Sequence, residues 1–520
     1  MVKIGLIKNE YGWKRILEQE KTPWEIANLA KINEYPFLIL NSTKTSNTEK
    51  KQIKNYIKDG GIILTDLSSL NTIYKSKKIS KVYIKSIKEN NNLFKNIQKI
   101  NIENYGYKLK NKEVKIHKFK IGKGLIIALP FNLNSLMKDS RSKRQYLPSP
   151  HSALKENISI VSKGDLRRLI INCFHYIYSI KKTPYVHLWY YPNNYNSVFT
   201  YRIDLDIFNK NEINNIINVI KNNNKIKLNW FISVINSKNH EKGILKLHNL
   251  NQDIQSHSYK HLVFNSLKEN YKNILESNRF ISKFKEKPIG FAAPFGHWNE
   301  PLNEALKKLN YKYSSEFSLS YDDLPFYPSS KNNKSKILQL PIYPTCVGLL
   351  EMQLYTKNKM KSYFDYLIDM QYRKQMPLFL YDHPNNGIGK HPKILEHILK
   401  KIKSLNNVLI TDYLQFYNWW EKREKIKYSI SLSKNNLKII TNNKDKDIYI
   451  RIILPNNKEA RIILENKTIK LKEIKIKEIP IFKDNKITNI NILKSKLLFS
   501  VYYLKILIKA LKRKFLSKIL

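Results

Sequence analysis

The chain has 520 residues, 42% hydrophobic and 12% aromatic, which excludes disorder of the whole and fits two to four domains. Its two cysteines, Cys173 and Cys346, exclude a disulfide framework and a cysteine zinc site. The formal net charge of +51 fits either a polyanionic partner or codon bias toward Lys, Asn and Ile; the excess is Lys rather than Arg, and no zinc-finger spacing, RNP-like run or recognition-helix pattern is present, so nucleic acid is not an expected partner.

Residues 1–135 alternate strand and helix. Val2–Ile7 and Pro36–Leu40 read as short strands and Lys50–Lys58 as a helix. Gly60–Gly61 stops that helix, and Ile62–Thr65 follows as a buried strand, the order of an open, mostly parallel sheet. Val114–Phe119 and Leu125–Leu129 flank a turn at 121–124 and read as a hairpin. The phrases NYIKDGGIILTD and GKGLIIALPF resemble glutamine-amidotransferase-like domains with a flavodoxin-like sheet. Neither cysteine falls here, so the resemblance implies a scaffold or docking module without thiolate chemistry.

Residues 136–194 read as a helical connector built on a helix at Gly164–Ile180, with Leu166, Leu169, Ile170, Cys173 and Ile177 on one apolar face. His175 there is expected to be structural. His151, His187, His240, His248, His391 and His397 have no partner pattern and are expected at the surface or in packing.

Residues 195–425 alternate again, with strands expected at Val198–Ile203, Leu228–Val234, Asp253–Ser256, Ile289–Ala293, Ile337–Leu340, Leu378–Tyr381 and Val408–Thr411. That order fits a (β/α) barrel, whose chemistry sits at the carboxyl ends of its strands. Residues 426–485 carry alternating β-branched runs between Asn- and Lys-rich turns, as in a small antiparallel sandwich. At 486–520, Lys505, Lys509 and Lys512 share one helical face and Leu504, Leu507, Ile508 and Leu511 the other, which fits an interfacial membrane helix or a helix docked on the protein. The expected class is therefore α/β: an N-terminal open parallel-sheet domain, a central deformed (β/α) barrel, a small C-terminal β-sandwich and a terminal amphipathic helix. MVKIGLIKNEYGW has no apolar h-region, and no stretch reaches 18 uncharged apolar residues, so the expected location is cytoplasmic, peripheral at the inner membrane face if the tail binds anionic lipid.

Four segments carry chemistry. FTYRIDLD (199–206) ends a buried strand in two carboxylates, Asp204 and Asp206, which need a metal or a cation such as Arg202 beside them. DIQSHSYKHLVF (253–264) spaces His257 and His261 four apart; on a helix both rings would share one face and could hold a divalent ion. In PIGFAAPFGHWNE (288–300), Pro294 and Gly296 shape a strand-to-helix loop able to border a pocket. PLFLYDHPNNG (377–387) delivers Asp382 and His383 at the end of a strand, and His383 titrates in the range suited to general-acid work. Trp230, Trp298, Tyr259 and Tyr381 lie near these motifs and fit either a sugar platform or core packing.

In this order and spacing, residues 195–425 resemble the polysaccharide deacetylase family (carbohydrate esterase family 4, NodB-like), and LQLPIYP (338–344) is similar to the family's segment before its last strands. The resemblance implies a divalent metal, zinc or a similar ion, held by Asp206, His257 and His261, with Asp204 as general base and His383 as general acid. It leaves Pro294, Gly296, Trp298, Tyr381 and Asp382 as substrate contacts. The acids are separated by Leu205 rather than adjacent, so their roles could be exchanged. Ala292 stands where the family has an Arg that orients the base, and Arg202 is expected to supply that charge. The implied activity is removal of an N-acetyl group from a sugar or glycan intermediate. A non-catalytic glycan-binding pseudoenzyme and an amide or imide hydrolase acting on a non-sugar substrate are the alternatives.

Overall fold

A capping box between Ser46 and Glu49 opens the Asn47–Lys58 helix, and Gly60, at φ 110°, turns the chain back into the Ile62–Asp66 strand. In the computed structural model this strand lies in a six-stranded sheet, ordered Trp24–Ile26, Ile4–Leu6, Leu38–Leu40, Ile62–Asp66, Gly124–Leu129, His117–Ile121. The first five strands run parallel; the last is the antiparallel arm of the expected hairpin. The open parallel sheet is therefore present. A long antiparallel pair, Ile79–Ile87 with Ile100–Leu109, is added beside it, its alternation hidden among Lys and Asn residues. The structure describes residues 2–478 apart from 42–43, 75–77, 152–153, 224–225, 285–286 and 332, together with Ser500 and Leu504. Apart from Ser500 and Leu504, the helix expected at 486–520 thus lies outside the described residues. Among the described residues no helix is long and apolar enough to cross a membrane.

The connector is only half helical. Its Lys163–Ile180 helix follows a β-hairpin, Ser142–Leu147 with Leu154–Ser159, and precedes a strand, Tyr185–Leu188. That strand pairs antiparallel with Tyr449–Ile453 in a four-stranded sheet completed by Lys458–Ile463 and Lys477–Glu478. A second antiparallel sheet holds Tyr428–Ser433, Asn436–Thr441 and Lys467–Lys470. The C-terminal β region therefore takes a strand from about 240 residues upstream, a pairing that no local pattern encodes.

Between these parts, eight parallel strands form one curled sheet. In chain order they are Ser197–Leu205, Asn229–Ile232, Asp253–Ser256, Gly290–Ala292, Tyr313–Ser315, Leu338–Gln339, Leu378–Asp382 and Val408–Ile410. The sheet runs from the sixth strand back through the second to the first and then the seventh, with the eighth beside the start of the first. The sixth and seventh strands are not paired with one another, so the barrel is open there. Just past the sixth strand, the Tyr343 N–H donates to the Phe379 carbonyl at 3.3 Å and narrows the gap. Tyr313–Ser315 escaped the periodicity reading because it is three residues long and two of them are Ser. Every residue of the first strand is buried, including Arg202 and Asp204. Alternation along it puts Thr200, Arg202 and Asp204 on the barrel's inner side.

One cluster of buried apolar residues runs from Val2, Trp13 and Phe37 through Leu166 and Phe174 to Val198, Leu378 and Ile450, so the regions share a core. A buried ionic joint reinforces it. Asp323, from the loop after the fifth barrel strand, accepts from Arg15 Nη2 (2.6 Å), Gln19 Nε2 (3.1 Å) and Arg167 Nε (2.8 Å), while Arg167 Nη1 also reaches Glu20 at 2.6 Å. Removing the carboxylate alone leaves two guanidinium groups short of counter-charge in the interior. Asp323→Ala is expected to lose about 3–5 kcal/mol of stability, read as a fall in the urea midpoint by tryptophan fluorescence. An unchanged midpoint would show that the joint is not structural.

Candidate metal centre and cleft

The first, third, fourth, fifth and seventh barrel strands end around one cleft of about 800 Å³. Asp206 leaves the first strand, His257 follows the third directly, and His261 lies four residues on. Nε2 of His257 and of His261 lie 3.2 and 3.0 Å from the same Asp206 oxygen, Oδ1, and 3.1 Å from each other. Their candidate ligand atoms all fall within 4.8 Å of one another. His257 Nδ1 sits 2.7 Å from the Ala292 carbonyl. Since a carbonyl only accepts, Nδ1 carries the proton and the lone pair of neutral His257 lies on Nε2, facing Asp206 and His261. Two imidazoles and a carboxylate meeting with open space on the cleft side fit a three-ligand divalent site. Burial opposes ionisation of Asp206, but the imidazoles of His257, His261 and His383 around it outweigh burial and hold the carboxyl well below the usual range.

The four-residue spacing is not served by a helix. Ser258 and His261 have positive φ, 67° and 53°, and residues 257–264 form a loop. Two asparagines of the Leu267–Ile281 helix pin that loop. Asn273 Oδ1 accepts from Lys260 N–H and its Nδ2 donates to the Leu262 carbonyl; Asn270 binds both the N–H and the carbonyl of Phe264. The side chains thereby supply the backbone partners that a helix would have supplied.

Asp204 sits deeper, 3% exposed, and accepts from Arg202 Nη2 at 2.7 Å. Arg202 Nη1 donates to the Ser315 carbonyl (2.7 Å) and hydroxyl (3.1 Å), and its guanidinium carbon lies 4.9 Å from the Tyr381 ring centroid. The other Asp204 oxygen, Oδ1, is buried without a hydrogen-bond partner among the described residues. Thus Asp206 joins the histidines and Asp204 joins the arginine, although both acids leave the same strand. At Ala292 there is no side chain able to charge-pair; the guanidinium beside Asp204 comes from Arg202 instead.

His383 Nε2 lies 3.5 Å from Asp206 Oδ2, with its ring edge-on to Tyr381 at 5.7 Å. Of the expected substrate contacts, Gly296 and Tyr381 line the cleft. Gly296, at φ 60°, has no room for a Cβ, which would fall 2.3 Å from the Phe317 ring. Pro294, Trp298 and Asp382 do not line it. Trp298 packs inward with Leu319 and Phe326. Asp382 is fully buried and its oxygens accept the Val347 and His383 N–H groups, so it holds the His383 loop; burial pushes its carboxyl up to about 6.

Several lining residues went unread in the sequence. Phe295, between Pro294 and Gly296, is 67% exposed at φ 57° and stands 5.0 Å from the His261 ring. Arg144, Lys155 and Glu156 reach the cleft from the connector hairpin. Glu316 lies just past the fifth strand, close to Arg202, and burial pushes its carboxyl up to about 8. The strand-end carboxylate that marked FTYRIDLD also marks SSEF, so Glu316 was within reach of the same reasoning; the hairpin was not, since only tertiary folding brings it over the barrel.

The family model described as polysaccharide deacetylase matches residues 204–314, from Asp204 through both histidines to the fifth strand. No curated protein matches the chain. Among solved structures, the chain is similar to one assigned as a polysaccharide deacetylase from Mycobacterium smegmatis, with 11% identity over 48% of this chain and 98% of that one, TM-score 0.41. It is similar to Puue allantoinase, with 17% identity over 45% and 93%, TM-score 0.39. It is also similar to a family 4 pseudoenzyme from Bacillus anthracis, with 14% identity over 44% and 68%, TM-score 0.31.

The geometry separates two classes of substitution. Asp206→Ala, His257→Ala and His261→Ala are each expected to weaken zinc binding at least about tenfold in equilibrium dialysis with elemental analysis, whereas Asp204→Asn keeps it. Equal loss in Asp204→Asn would reverse the assignment of the two acids.

Proposed function

We propose that the chain is a metal-dependent deacetylase that hydrolyses the N-acetyl group of a sugar or glycan. The observation that carries this reading is the convergence of Asp206, His257 and His261 at ligand spacing, with the tautomer of His257 set by the Ala292 carbonyl. The family match over 204–314 supports the reaction class.

A bound divalent ion, zinc or a similar one, would polarise the acetyl carbonyl and make water acidic enough to react near neutral pH. The protein's own groups divide the proton work. Asp204 is the base: one oxygen is oriented by Arg202, and the other is left without a partner to accept a proton from water. Arg202 is a positioning residue: its Nη2 donates to one oxygen of Asp204 and fixes the direction of the other. His383, accessible in the cleft, delivers the proton to the departing amine. Phe295, exposed at the rim beside His261, offers an apolar face to a pyranose ring, and Tyr381 lines the cleft deeper, beside Arg202.

The placement of Arg202 counts against a non-catalytic reading based on Ala292, because a guanidinium is present where the base needs one. Acetate release from N-acetylglucosamine oligomers and from a panel of non-sugar amides, by the zinc-loaded protein, tests the reading. Deacetylation of the sugars is expected; hydrolysis of the non-sugar amides alone would move the enzyme to another substrate class, and no turnover with zinc bound would favour the pseudoenzyme.

Arg202→Ala is expected to lower kcat at least about a hundredfold with zinc content intact, since general-base catalysis contributes about 10²–10⁴-fold. Unimpaired turnover in Arg202→Ala would remove the positioning role.

A further inference from the structure

A second large cavity, about 860 Å³, lies at the other end of the barrel, where Asn196 and residues 372–376 lead into the first and seventh strands. The nine-residue first strand separates it from the metal centre by roughly 27 Å. The connector helix, the 90–96 segment and the C-terminal four-stranded sheet complete its walls.

Its lining departs from the composition of the chain. The sequence holds 12 arginines against 81 lysines. Five of those arginines, Arg167, Arg168, Arg373, Arg451 and Arg461, line this one cavity. A general lysine excess does not produce that pattern; planar guanidinium groups suit bidentate binding of phosphate oxygens.

The charges are incompletely matched inside the protein. Arg167 and Arg168 are held by carboxylates, and Arg451 by Glu459. Arg461 has no carboxylate within ion-pair distance among the described residues. It donates instead to neutral oxygens, Asn196 Oδ1 at 2.6 Å and the carbonyls of Asn194 and Tyr195, with its guanidinium carbon 4.2 Å from the Trp189 ring centroid. Its Nε is buried without a hydrogen-bond partner among the described residues, as is Nε2 of His175 on the same cavity. Lys95 adds a further cation, and Lys477 another, 4.0 Å from Glu459, which lines the cavity with Glu478. Burial and the nearby arginines lower the pKa of both, with Glu459 opposing the shift at Lys477.

We infer that this cavity binds a small phosphate-bearing polyanion, matched in charge and size by the pyrophosphate of a nucleoside diphosphate, through Arg461, Arg451, Lys95 and Lys477. The volume is in the ordinary range for small-ligand sites, and a junction of several chain segments is a common place for one. Tyr176 and Tyr372 on the walls offer flat faces to a nucleoside.

Isothermal titration calorimetry on the full chain tests this with two probes, inorganic pyrophosphate and UDP, at fixed ionic strength. Both are expected to bind. Arg461→Gln and Lys95→Gln should each raise Kd at least about tenfold without moving the thermal midpoint, and Asp206→Asn should leave Kd unchanged. Tighter binding of UDP assigns the site to a nucleotide; equal affinity assigns it to the phosphate group alone. Should Arg461→Gln fail to fold, Lys95→Gln and Lys477→Gln, nearer to solvent, carry the same expectation. No heat with either probe at about millimolar concentration overturns the inference, as does binding that is lost in Asp206→Asn and kept in the basic-residue variants.

Discussion

The interior of the barrel is organised by one ion pair, Arg202 with Asp204. Two full charges on a strand buried along its whole length are unfavourable unless each finds a partner, and truncating either would strand the other. Arg202 divides its donors between Asp204 and the Ser315 hydroxyl and carbonyl, and its face meets Tyr381, so the pair ties the first strand to the fifth and the seventh. Strand alternation then sets the heights. Asp204 stays inside, and Asp206, two residues on, emerges at the rim where the histidines wait.

Around that pair, the cleft is held by backbone acceptors and amide side chains more than by further charges. The Ala292 carbonyl sets the tautomer of His257, Asn270 and Asn273 replace the missing helix beneath His261, and buried Asp382 gathers the N–H groups of Val347 and His383. These are the partners that hold the candidate ligand set and its loops in place. The same logic works at the joint between the first region and the barrel, where Asp323 and Glu20 neutralise Arg15 and Arg167 inside a continuous apolar core.

Charge is therefore not spread evenly over this very basic chain. Carboxylates and histidines meet at the carboxyl ends of the barrel strands, and guanidinium groups gather at the amino ends. Lysines take up most of the surface excess, whereas arginines stand where planar geometry or burial calls for them.

What the sequence determined by itself was whatever a short window encodes. The helix stop at Gly60–Gly61, seven of the eight barrel strands and the strand-end motifs FTYRIDLD and PLFLYDHPNNG follow from period, propensity and the burial of charge, all local properties. The residues of the candidate metal centre were legible for the same reason, since Asp206 and His257 each follow a recognisable strand. Tertiary structure alone decided the rest. It set HSYKH as a loop rather than a helical turn, because asparagines from a later helix supply its backbone partners. It also sent Asp204 to Arg202 and Asp206 to the histidines, turned Trp298 and Asp382 inward, brought the connector hairpin over the cleft, and paired Tyr185–Leu188 with a strand near the other end of the chain. Each of those outcomes depends on a contact between residues far apart in sequence, and the free energy of such a contact belongs to the folded arrangement, not to either segment.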